Sequence, residues 1–145
     1  MPAQTNSRIA GGTINPFSFV QGQPGTELGA LQCSGPGVEI IGISGVYTNM
    51  MQGQYGSPAQ GFPAATSGQP IQIFGDGEDT IIMVGSGYTV EPDNLLVSDA
   101  SGNAIPIVLT ATGAEQWIGA RAIEAGVAGD PIRVSVVLRP YLGHA

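Results

Sequence analysis

His144 is the only histidine of the chain and stands next to last. A general base must be held still against its substrate, and chain ends fray, so a Ser-His-Asp triad would have to recruit a tail residue. Cys33 is the only cysteine. It lies beside Gly35-Pro36-Gly37, with no well-placed histidine to turn its thiol into a nucleophile. One cysteine closes no intrachain disulfide and builds no Cys-based zinc site. Asp76, Glu78 and Asp79, in GDGEDT, are the densest acidic cluster. Alternating oxygens in a turn can hold calcium, but the EF-hand spacing is not met and its closing glutamate is missing, so a solvated hairpin tip is the plainer reading. Glu91 and Asp93, flanking Pro92, give the same weak signal. No pair among the 11 acids stands out as the acid and base of glycoside hydrolysis. Gly35-Pro36-Gly37 and Gly85-Ser86-Gly87 open no convincing helix and are not phosphate loops. The expectation is a protein that is not an enzyme, with no catalytic residue, no cofactor and no metal.

Charge supports a non-catalytic role. The chain has 145 residues, 11 acids, four basic residues and a net charge of −7. All the basic residues are arginines, Arg8, Arg121, Arg133 and Arg139. The absence of lysine excludes lipoyl or biotinyl carriers, Schiff-base chemistry and a Walker A loop. Binding nucleic acid through a basic face needs many cations, so no nucleic-acid partner is expected. No apolar run approaches the roughly 20 residues of a membrane-spanning helix, so no membrane is expected either. Residues 1–8 are polar and show no secretory signal pattern.

The elements that would position a site follow from the breakers. There are 23 glycines and 11 prolines, and glycine is about double its usual 7% share. Helical bundles do not tolerate this. A hydrophobic content of 42% is enough for a core and argues against broad disorder. The length fits one domain, against a norm of roughly 100–200 residues. Residues 38–46 read as a strand. Residues 71–74 and 80–84 flank Gly75-Asp76-Gly77 and predict a hairpin. Residues 95–97 and 104–109 flank a second turn, Ser98 to Asn103. In the last strand Ile132, Val134, Val136 and Leu138 face one way, and Arg133, Ser135, Val137 and Arg139 the other. Residues 114–125, AEQWIGARAIEA, have helix-favouring composition but also read as a strand through Trp117 to Ile123. The fold expected is mainly β, a single small β-barrel or β-sandwich-like domain.

Two segments stand apart from it. Between Ile9 and Gly75 only Glu27 and Glu39 are charged. Ile9, Ile14, Phe17, Phe19 and Val20 punctuate the start of that stretch, whereas free linkers are poor in such side chains. Residues 1–37 therefore read as an extended N-terminal arm that docks on another surface, in particular through Ile9, Ile14, Phe17 and Phe19. Residues 52–70 read as a long Gly/Pro-rich loop, with Tyr55 and Phe62 as anchors to a partner or to their own domain. Trp117 is expected in the core or at a subunit interface. The domain proper spans 38–140, leaving a tail at 141–145.

The order of motifs carries a resemblance. VGSGYTVEPDNLLV (84–97), SDASGNAIPI (98–107) and WIGARAIEAGVAGDPIRVSVVL (117–138) give a glycine turn and strand, an Asp…Gly turn and strand, an IGxAxxxA strand, then Gly-Asp before a terminal I-x-V-x-V-x-L strand. EIIGISGVY (39–47) and GQPIQIF (68–74) repeat the layout upstream. This resembles the small head decoration, or capsid cement, proteins of tailed bacteriophages. The resemblance covers about residues 39–138 and favours a strand at 114–125. It implies a non-enzymatic structural protein of the virion, on the outer surface of the capsid. It implies as partners the major capsid protein and further copies of the chain itself, as a homotrimer at three-fold positions that stabilises the shell against internal DNA pressure. The leader and the 52–70 insertion depart from the family's compact pattern. The alternative is a carbohydrate-binding or adhesive β-module of a tail fibre or cell surface.

Overall fold

Short apolar runs cut by glycine and proline form strands here, because neither breaker sustains a helix and branched side chains fit a pleated surface. The computed structural model describes residues 5–26, 28–45, 65–107 and 115–142. Every regular element among them is a strand, as the composition requires. These are β1 (Thr5–Ala10), β2 (Phe19–Gly22), β3 (Gly29–Gln32), β4 (Ile40–Ser44), β5 (Pro70–Phe74), β6 (Asp79–Met83), β7 (Thr89–Val90), β8 (Leu95–Ser98), β9 (Ala104–Pro106), β10 (Glu115–Ala122), β11 (Gly126–Val127) and β12 (Pro131–Leu142).

The first five close a barrel in the order β1-β3-β2-β4-β5. β1 runs antiparallel to β5, Thr5 opposite Phe74 and Ile9 opposite Pro70, and parallel to β3, Ile9 opposite Gly29. The segment read as an extended arm is thus three strands of a barrel. Its lack of charge reflects enclosure within the chain's own fold: Ile14 and Val20 are fully buried with Ala30, Ile71 and Ile73 inside the barrel. An uncharged, apolar-punctuated stretch fits a partner surface and a folded barrel equally, and here the second holds.

Strands β6-β12-β10-β8-β9 form a second sheet, and β7 pairs with β11. A parallel bridge from Val84 to Ala104 brings the two outer edges of that sheet together at one end. Period-two burial is clean in β12, where Ile132, Val134 and Val136 are buried and Leu138 packs against the same cluster. The strand continues to Leu142, so Tyr141 and Leu142 belong to it and not to a tail. Residues 115–122 are strand, and the helix-favouring composition yields to pairing with β12 on one side and β8 on the other.

The larger core joins the two sheets. Phe19, Ile40 and Ile43 on the outside of the barrel wall pack with Leu96, Ala120, Ala122, Ile132, Val134 and Val136 of the second sheet. Neighbouring residues of β2 therefore serve different cores, Phe19 the junction and Val20 the barrel interior. The glycines of the repeated Ile-Gly pairs sit at strand irregularities, Gly119 at the junction and Gly42 against β5 of the barrel. Gly119 sits where the β10–β12 register shifts, and a Cβ there would stand 2.8 Å from Ile40 Cδ1 and 2.9 Å from Phe19 Cδ1. Gly42 sits at the shift between β2 and β4, and a side chain there would strike the Phe74 carbonyl and Ile73. Each glycine lets a bulged strand approach its neighbour closely.

The Asp-Gly turn at 75–77 does not make a hairpin. β5 stays in the barrel beside β1 and β4, and β6 leaves to pair with β12. The turn bonds to β12 itself: Gly77 N–H donates to the Val136 carbonyl (2.9 Å) and Val136 N–H to the Glu78 carbonyl (2.8 Å). The second turn behaves as expected, with β8 and β9 antiparallel. Asp99 Oδ1 accepts from Ser101 N–H (2.8 Å) and Asn103 N–H (2.9 Å), the side-chain cap that holds such turns.

Candidate functional site

Part of the candidate chemistry is tied into the fold. Cys33 is buried. Glu78 Oε1 accepts from Gly75 N–H at 2.7 Å, and Asp76 Oδ1 accepts from Leu138 N–H at 3.0 Å. The acidic turn thus uses its carboxylates to cap its own backbone and the edge of β12. Asp93 occupies the left-handed region (φ 72) in a fully exposed turn, 3.9 Å from Arg121 Nε. Among the described residues no three metal-ligating side chains gather. His144, Tyr55 and Phe62 lie outside the described residues, as does most of the 52–70 loop.

Described residues line two of the surface clefts, both shallow. One, about 260 Å³, lies between β8 and β9 and is lined by Asp93, Asn94, Leu95, Pro106 and Ile107. The other, about 270 Å³, lies against the barrel wall and is lined by Gln21, Gly22, Pro24, Val38, Glu39 and Ile41. Enclosed ligand pockets bury most of a small molecule and present convergent polar groups; these open clefts do neither.

The contact residues expected from the sequence separate. Ile14 and Phe19 are fully buried and present nothing to a partner while the barrel stands. Phe17 is half-buried with a left-handed backbone (φ 57). That conformation sends its N–H to the Ser44 carbonyl (3.1 Å) and its carbonyl to Met83 N–H (3.1 Å), tying the barrel to β6. Ile9 stays exposed, at 48%. Beside it is a residue the sequence does not betray: Leu28, 58% exposed at φ 63, whose carbonyl accepts from Ile9 N–H (2.9 Å). Trp117 packs against the junction core. Its backbone N–H donates to the Pro36 carbonyl at 2.8 Å, and its buried indole Nε1 has no acceptor among the described residues.

The described residues present a β scaffold of a barrel joined to a second sheet. Comparison with solved structures finds that scaffold elsewhere. The chain is similar in fold to the N base of head fiber gp8.5 in bacteriophage phi29. The TM-score is 0.52 at 11% sequence identity, over 93% of this chain and 94% of that one. At this identity the likeness is one of fold. No family model matches the sequence, and no curated protein sequence matches it.

Proposed function

We propose that this chain is a structural, non-enzymatic protein of a tailed-phage head, and that it attaches to the outside of the capsid as a decoration or cement subunit. The observation that carries the reading is the shared fold: nearly the whole chain superposes on nearly the whole of a base that belongs to a phage head fiber. The motif order across residues 39–138 supports it independently, since it resembles head decoration proteins. The physics suits the role. A shell under internal pressure is held by many modest contacts repeated by symmetry, and these need surfaces rather than a pocket.

On this reading the partners are the major capsid protein and other copies of the chain, arranged as a homotrimer at three-fold positions. Ile9 is the one residue of the expected contact set that the described structure leaves exposed, and with Leu28 it forms an apolar spot on the barrel. The test is co-sedimentation of the purified full chain with expanded heads lacking it, and with unexpanded proheads. Saturable binding to expanded heads, at a copy number that is a multiple of three, is the expected result. A folded protein that binds neither form overturns the reading and directs attention to glycan binding.

A further inference from the structure

The second sheet buries one face in the junction core; on the other face Val97, Ile105 and Ile118 are buried, while the strip over β6, β12 and the Arg121 end of β10 is open. Registers assign the outer face. On it Met83 lies opposite Pro131, Ile81 opposite Arg133 and Asp79 opposite Ser135. Ser135 in turn lies opposite Arg121, and Arg121 opposite Leu95. Val137 and Arg139 continue the same alternation along β12, and Ile123 continues it past the end of β10, its N–H donating to the Arg133 carbonyl (2.9 Å).

Arg121, Arg133 and Arg139 are thus gathered on one face of a chain with only four basic residues and a net charge of −7. All three are exposed. Arg121 stands 3.9 Å from Asp93, with the side chains 58% and 85% exposed. Arg133 stands 3.6 Å from Glu124, with 69% and 45% exposed. Ion pairs this open exchange partners at little cost. Arg139 has no carboxylate within ion-pair distance among the described residues. Around the three arginines lie half-buried Ile81, Met83, Leu95 and Val137 and exposed Ile123. Arginine set among aliphatic side chains, without lysine, is the composition of protein interface cores. The planar guanidinium fork pairs with carboxylates two bonds at a time.

From this geometry we infer that the open strip over β6, β12 and the Arg121 end of β10 is the docking face, and that its occupant is a carboxylate-bearing protein surface. The inference rests on the proposed function, in which that surface belongs to the capsid shell. Charge decides the occupant. Asp79, Asp93 and Glu124 stand beside the three arginines, so this face is about neutral while the rest of the chain is strongly negative. An approaching acidic surface is repelled least here, which also sets the orientation of docking. Three cations release too few counterions to hold nucleic acid against the net negative charge.

The test uses the full chain with Arg121→Ala, Arg133→Ala and Arg139→Ala, singly and together, in co-sedimentation with expanded heads at low and high salt. Arg8→Ala, on the barrel, is the control. Wild-type binding should weaken with salt. Each single variant should lose roughly tenfold in affinity and the triple variant at least ~100-fold, with Arg8→Ala unchanged and melting temperatures preserved. If the triple alanine variant folds poorly, the triple glutamine variant keeps the aliphatic stems and should show the same loss. A triple variant that binds heads like wild type overturns the inference and leaves head attachment standing. A triple variant that loses self-association in the absence of heads also overturns it, because the face then joins copies of the chain. Wild-type protein that binds no head overturns the proposed function and the inference with it.

Discussion

Phe19→Ala separates a barrel strand from a docking arm. The Phe19 side chain is fully inaccessible and packs at the junction with Ile40 and the bulge at Gly119. Truncating a buried phenylalanine removes its transfer energy and leaves a cavity, at a cost of about 3–5 kcal/mol. Domains of this size have on the order of 5–15 kcal/mol in total, and near 145 residues each kcal/mol moves the midpoint by about 3 °C. The expected fall in melting temperature is therefore roughly 9–15 °C. Urea unfolding followed by Trp117 fluorescence should show a lower midpoint with an unchanged slope. Gly119→Ala, which pushes a methyl against Phe19 and Ile40, should cost about 1–3 kcal/mol by overpacking. In the Phe19→Ala background that methyl enters vacated space, so the two losses should fall short of additive by about 1–3 kcal/mol. A Phe19→Ala protein within about 0.5 kcal/mol of wild type refutes the barrel assignment and restores the arm. Deleting residues 1–27, which a true arm would survive, should abolish cooperative unfolding because it removes β1 and β2.

Two further outcomes are expected. Asp76→Ala should lose about 1 kcal/mol and raise the tendency to self-associate in light scattering, since it uncovers Leu138 N–H on the β12 edge; Asp76→Asn retains an acceptor and should stay near wild type. Trp117→Phe removes a buried indole N–H without a described acceptor and should lie within about 1 kcal/mol of wild type by circular dichroism melts. Trp117→Ala should cost clearly more, and equal losses would show that the indole N–H is satisfied.

The all-β architecture was legible because its causes are local. Alternation in residues 132–138 and the Asp99 cap are written within a few positions of themselves. The Ile-Gly repeats were visible, but their meaning was not: the atoms that demand Gly119 come from Phe19 and Ile40, far away in sequence. The same distance hid the partner of the 75–77 turn. Asp-Gly between apolar runs predicts a hairpin, yet the strand that captures Asp76 and Glu78 is β12. Residues 1–37 look like an arm in the sequence for a related reason. A stretch without charge must be covered, and the covering strand β5 lies across residues that look like loop. No residue pattern announced Leu28, since its exposure is a matter of a single left-handed backbone angle. The arginines of β12 were seen to alternate outward, but only the registers with β6 and β10 gather Arg121 beside them.

The barrel closes by joining its first strand to its last, with Thr5 set against Phe74. During synthesis β1 emerges long before β5, and parallel pairing with β3 alone leaves one of its edges open. The waiting segment is the least charged part of the chain, with Glu27 and Glu39 its sole repulsive groups between Ile9 and Gly75. Non-local closure of this kind is slow and leaves apolar strand edges exposed while it proceeds. Until β5 is made, β1 has no partner on that side, and the least charged part of the chain waits with an open strand edge.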